Sequence, residues 1–184
     1  MKLGASVSLV PILHGRLVFA QHVQKLCLQH RYDCIAVDLP ACFEASLLEA
    51  IDGLPYVSAV IASGTSDPVY YVPTDPCDAA IEGLRQARQN RLPCVFVGAP
   101  TLRKPTPLRV LPDEHAATRI GFEEFVSLCL RDVGVPEEGS DDDAVAQYTA
   151  SKLLELDTRF SSVLALVHLR HCAAVLRHAA QERT

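Results

Sequence analysis

The chain has no tryptophan, a single methionine and only 6% aromatic residues. Platforms that stack single-stranded nucleic acid need exposed aromatic rings, so this composition argues against them. Positive charge is also short, with 17 Lys and Arg against 22 Asp and Glu and a formal net charge of -5. A phosphate backbone or an anionic membrane surface favours the opposite balance, and no nucleic-acid partner is expected. No apolar run approaches the roughly 20 residues that cross a bilayer, so no membrane span is expected either. The seven cysteines are odd in number and widely spaced, and no CxxC occurs. That usage reads as reduced thiols in a cytoplasmic protein rather than a disulfide framework. Residues 1–13 carry one lysine and an apolar run, but Pro11 and the lack of a small-residue cleavage site favour a strand over a signal peptide. Ready-made catalytic loops are missing too: there is no GxSxG elbow, no Walker loop and no GxGxxG.

What is present is apolar material in regular alternation. Hydrophobic residues make up 49% of 184 and charged residues 21%, enough for one core, so residues 1–184 are expected to form a single α/β domain. That domain would stand alone, self-associate as a homo-oligomer, or serve as one module of a larger assembly beside a partner domain. Val7–Leu13 reads as a first strand, and Phe19, Val23, Leu26 and Cys27 recur at helical spacing after it. Cys34–Val37 is a wholly apolar strand that ends at Asp38-Leu39-Pro40, the pattern of a parallel sheet covered on both faces. A helix carrying Phe43, Leu47, Leu48 and Ile51 follows, then a strand over 57–62. The turn cluster 63–68 should return Val69–Val72 as an antiparallel hairpin or edge strand. Asp75 and Pro76 announce the next helix, with Asp78 placed as a capping-box carboxylate. Cys94–Val97 is a further strand, and the proline-rich stretch 99–111 reads as a long loop over the sheet. Helices containing Phe122–Leu130 and, after a Ser140 cap, Ala146–Leu154 precede a last strand, Val163–Val167, and a last helix through Cys172, Val175, Leu176 and Ala179. The expected fold is therefore α/β: a mostly parallel sheet of about five strands flanked by helices, with one hairpin at its edge.

Ligands of open parallel sheets bind outside the carboxyl ends of the strands. Three strands deliver candidates there: the first brings His14, the second Asp38, and the last His168 and His171. Imidazoles with a carboxylate suit general-base chemistry, and they also suit a zinc or manganese ion with an open position for water. His14, His168 and His171 would be the metal ligands, and His14, Asp38 and His171 the catalytic set. Arg16 and Arg119 are candidates for an anionic group of the substrate. Each has a simpler reading: a strand-end His bonded to backbone, Asp38 in an Asx turn or cap, and an arginine in a surface ion pair. His22, His30 and His178 fall on outer helix faces, His115 beside Asp113 and Glu114 reads as a loop or cap residue, and Asp141-Asp142-Asp143 reads as a solvated helix start.

Three segments carry a family likeness: Pro11-Ile12-Leu13-His14-Gly15-Arg16, Ile35-Ala36-Val37-Asp38-Leu39-Pro40, and Val163-Leu164-Ala165-Leu166-Val167-His168-Leu169-Arg170-His171. With the hairpin and Val72-Pro73-Thr74-Asp75-Pro76 between them, the chain resembles the TraB/ChaN-like, erythromycin-esterase-like superfamily from about residue 7 to 178. The resemblance implies an α/β fold and a strand-end His and carboxylate site. Its members look like metal-dependent or esterase-like hydrolases or haem-associated proteins, so haem joins the expected cofactors. Four positions differ from the family pattern. Asp38 replaces a Glu, His168 replaces the Gly of a GxxH, Val145 stands in place of an arginine early in the helix before the last strand, and Gly98 stands where relatives tend to carry an acidic residue. The expectation is a hydrolase acting on a small-molecule or peptide ligand, and the alternative is a non-catalytic ligand-binding or protein-interaction domain.

Overall fold

A computed structural model describes residues 1–63, 69–100 and 111–183 of the chain. The turn cluster 64–68 and most of the proline-rich loop, residues 101–110, lie outside the described residues. In chain order the elements are β1 (Val7–Ile12), α1 (Leu17–Gln29), β2 (Cys34–Pro40), α2 (Glu44–Asp52), β3 (Ala59–Ser63), β4 (Val69–Pro73), α3 (Ala79–Asn90), β5 (Cys94–Gly98), α4 (Ala117–Ile120), α5 (Phe122–Val133), α6 (Asp141–Arg159), β6 (Val163–His168) and α7 (Leu169–Gln181). Short 3-10 turns at Ala41–Phe43 and Glu114–Ala116 lead into α2 and α4.

The main sheet is parallel, in the order β1-β6-β2-β5. Its strands are apolar on both faces because both are covered. Ile35, Val37, Leu164 and Leu166 join the side chains of α1, α2, α3 and α5 in one cluster, while Cys34, Ala36, Val163, Ala165 and Val167 join those of α6 and α7 in the other. Alternation along a strand therefore divides one apolar run between two cores.

The α/β class, the parallel sheet flanked by helices and the hairpin are as expected, with two differences of detail. Among the described residues the main sheet has four strands where about five were expected, and β3 pairs only with β4, in a separate two-stranded antiparallel sheet. The burial of the hairpin explains why it stands apart. Ile61, Val69 and Tyr71 point out while Val60, Ala62, Tyr70 and Val72 rest against the core, so β3 and β4 each have one face to bury and not two.

Side chains cap the starts of α3, α6 and α7. Ser140 caps α6, accepting from the Asp143 N–H at 3.2 Å. The cap of α3, however, is Asp78 and not Asp75: Asp78 Oδ1 accepts from the N–H groups of Ala80 and Ile81 at 2.8 and 3.3 Å. Asp75 instead closes an Asx turn to the Cys77 N–H. Gly98 is required by packing. A Cβ there would stand 2.5 Å from the Leu39 carbonyl carbon, where β2 shifts register between Val37 and Pro40. The acidic side chain that the family resemblance leads one to expect at this position has no room.

Candidate functional site at the carboxyl rim of the sheet

The strand order sets the carboxyl ends of β1 and β2 on either side of β6. His14 follows β1, Asp38 lies near the end of β2, and His168 closes β6. One turn into α7, His171 comes back to the same rim. The rings of His14 and His168 stack with centroids 5.6 Å apart, and those of His168 and His171 lie 5.7 Å apart at a tilt of 54°. The three imidazoles therefore form a row with His168 in the middle.

Each outer imidazole is tied to a carboxylate through Nδ1. His171 Nδ1 lies 2.9 Å from Asp38 Oδ2, and His14 Nδ1 lies 2.9 Å from Asp78 Oδ2. An ionised carboxylate only accepts, so both histidines donate through Nδ1–H and carry their lone pair on Nε2. Asp38 is further held by the His168 backbone N–H at 3.2 Å and the Thr149 hydroxyl at 3.4 Å, and its side chain is only 3% exposed. Asp78 works in two directions. Oδ1 caps α3 while Oδ2 takes both the His14 ring and the Gly15 N–H at 2.9 Å. Gly15 reaches that bond with φ +66°, a conformation glycine adopts without cost.

His168 is bonded the other way. Its Nδ1 accepts from the Arg170 N–H at 3.3 Å, capping α7. An accepting nitrogen has no proton, so neutral His168 carries its proton on Nε2.

The electrostatics sort the same groups. Desolvation disfavours charge on His171, but the hydrogen bond and charge of Asp38 outweigh it and raise the pKa above 6.5. His14 follows the same pattern with Asp78, its pKa raised although its side chain is 41% exposed. Burial opposes the charge on Asp38 and Asp78 as well, yet the histidines hold both carboxyls below the ordinary value of 3.8. For His168, desolvation and the neighbouring His14 and His171 all lower the pKa, and the ring stays neutral.

The remaining candidates separate. Arg16 sits two residues beyond His14, its guanidinium 3.9 Å from Glu114. Arg119 is exposed on the last turn of α4, and among the described residues no hydrogen bond or ion pair ties it to the rim. His115 is exposed, its N–H held by Asp113, and His30 is exposed as expected. Two surface assignments are corrected. His22 is half-buried and stacks on Phe122 at 3.8 Å. His178 is half-buried with Nε2 2.7 Å from Asp143, so Asp143 is a buried anchor, not part of a solvated run.

The sequence pattern missed Asp78 and Thr149 as rim residues. Asp78 had a sufficient local explanation as a capping residue, and only its second oxygen reveals the other role. Thr149 lies mid-helix with no motif around it, and nothing local could have singled it out.

As a metal centre the donor set fits poorly. His14 and His171 present free Nε2 lone pairs, but His168 presents Nε2–H, and a third imidazole ligand would first have to lose that proton. Among the described residues no group of three His, Cys, Asp or Glu is arranged to hold an ion. Likewise, no helix among them is long and apolar enough to cross a membrane. Comparison of the chain with protein-family models, curated proteins and solved structures finds no match.

Proposed function

We propose that this chain is a hydrolase in which His14, oriented by Asp78, is the general base that activates water. The observation that carries the reading is the pair of His–carboxylate dyads at one sheet rim, each leaving Nε2 without a hydrogen-bond partner among the described residues. His14 is the base because it is the solvent-accessible member. The shielded His171–Asp38 dyad offers a second Nε2 acceptor that helps orient the water, and the proton taken up by His14 passes on to the leaving group. A dyad of this kind fixes the tautomer and stabilises the imidazolium that forms, typically raising the rate about 10²–10⁴-fold for the positioned base. Likeness to the TraB/ChaN-like superfamily supports the same reading through His14 and His171. Zinc and manganese are left out of the reaction on the tautomer of His168, and haem rests on the resemblance alone. Arg16 borders the rim and is the candidate for an anionic part of the substrate, while Arg119 is the weaker one.

A non-catalytic binding domain is the second reading, and one observation favours it. A cavity of about 440 Å³ lies away from the rim, lined by Ile51, Leu54, Pro55, Pro76, Arg85 and Arg88 among others. Its two arginines are already paired, with Glu82 and Asp52. The test is hydrolysis of a panel of p-nitrophenyl esters and anilides by the purified chain, with and without a chelator. Turnover that survives chelation and disappears in His14→Gln and Asp78→Asn, with folding retained, supports the hydrolase. No turnover of any probe leaves the binding domain.

A further inference from the structure

We propose that His168 serves this site as a neutral hydrogen-bond donor, offering Nε2–H to the substrate oxygen that gains negative charge, with the first turn of α7 fixing its tautomer. The inference rests on the hydrolase reading above and assigns the one rim imidazole which that reading leaves without a task.

The first argument is the cap. Residue 168 closes β6 and begins α7, and its Nδ1 accepts the Arg170 N–H at 3.3 Å. Helix-start N–H groups have no partner within the helix and lie at the positive end of its dipole. A proton on Nδ1 would set two donors against each other there, so the helix start selects the Nε2–H form. The ring is also held from behind, because the His168 backbone N–H donates to Asp38 at 3.2 Å.

The second argument is the row. His14 and His171 flank His168 at 5.6 and 5.7 Å between centroids, and both direct Nδ1–H to a carboxylate. Two imidazoles with a lone pair on Nε2 thus flank the one that carries its proton there. Addition of water to a carbonyl needs both polarities together: an acceptor for the water proton and a donor for the oxygen. In the step, the water oxygen bonds to the carbonyl carbon and its proton passes to His14 Nε2. The C=O π pair moves onto the carbonyl oxygen, which takes the hydrogen bond from His168 Nε2–H without receiving the proton. On collapse that pair re-forms C=O, the bond to the leaving group breaks, and the leaving group takes from His14 the proton it received from water, which returns His14 to its neutral form.

The experiment uses the full chain labelled with ¹⁵N-histidine, His168→Gln assigning the resonances. At neutral pH we expect His168 Nδ1 to read as an unprotonated acceptor and Nε2 as protonated. A proton on Nδ1, alone or with Nε2, overturns the proposal whatever the activity. With p-nitrophenyl acetate as probe, His168→Ala lowers kcat about 10²–10³-fold with KM nearly unchanged, and His168→Gln, which keeps an N–H donor, recovers about tenfold of the loss. An unchanged kcat in His168→Ala overturns the donor role. If the wild type does not turn over the probe, the hydrolase reading fails by itself. The donor is then judged with acetate, which should shift the His168 Nε2–H resonance, and no shift overturns it.

Discussion

Helix α7 makes two His–Asp pairs, seven residues apart on one face, and they do different things. Near its start His171 meets Asp38 at 2.9 Å, and near its end His178 meets Asp143 at 2.7 Å. Distance does not distinguish them; the other bonds of the carboxylates do. Asp143 also takes the Gly139 N–H at 2.9 Å and the Arg177 guanidinium at 2.6 Å, so it ties the segment before α6 to α7. Asp38 takes a backbone N–H and a hydroxyl instead, with no guanidinium among the described residues, and its histidine joins a row of rings at the sheet rim. The lesson is that a His–Asp pair points to chemistry when the carboxylate orients the ring, and to structure when the ring is one of several donors holding a carboxylate.

Substitutions can break this contrast. The largest expected effect is on the rim: Asp38→Asn should lower kcat about 10²–10³-fold while the fold persists, because an amide can turn its NH₂ toward Nδ1 and select the wrong His171 tautomer. Steady-state kinetics alongside circular dichroism check it, and wild-type kcat would remove Asp38 from the reaction. Asp143→Ala should do the reverse, costing about 2–3 kcal/mol in urea unfolding by removing the carboxylate that His178 and Arg177 share and leaving Arg177 only the exposed Glu138, with kcat per folded molecule unchanged.

The pH dependence sharpens the contrast further. The Gly139 N–H, His178 and Arg177 bring Asp143 down to about 2. Its stabilisation is full above the ordinary 3.8 and is lost as pH falls toward 2. The raised pKa values of His171 and His14 act at the other end: their stabilisation is full below 6.5 and is lost as pH rises through the raised folded values. Thermal melts across pH should show Asp143→Asn flattening the acid limb and His171→Gln the alkaline one. Activity should rise above 6.5, as His14 must lose its proton to act as base. Smallest of all, Thr149→Val removes one 3.4 Å bond to Asp38 and should cost about 0.5–1 kcal/mol.

The layered fold was legible because parallel strands covered on both faces have a plain signature, the continuous apolar runs at 34–37 and 163–167. The positions of His14, Asp38, His168 and His171 at strand ends were legible by the same logic. What could not be read was partnership across sequence distance. Asp78 lies 64 residues from His14, and Thr149 lies 111 from Asp38. Nor does alternation show that β3 leaves the main sheet: Val57–Ala62 is as apolar as a central strand, and only packing shows that one of its faces stays open.

The position of β6 has a consequence for how the molecule comes into being. It runs between β1 and β2 although it follows them by more than 120 residues, so until translation has passed residue 168 β1 lacks its partner in the main sheet and β2 has only β5. Until then both expose unpaired edges to chaperones and to other nascent chains. Since β6 also brings His168 and leads directly into His171, insertion of that strand completes the structure and creates the row of imidazoles in a single late event.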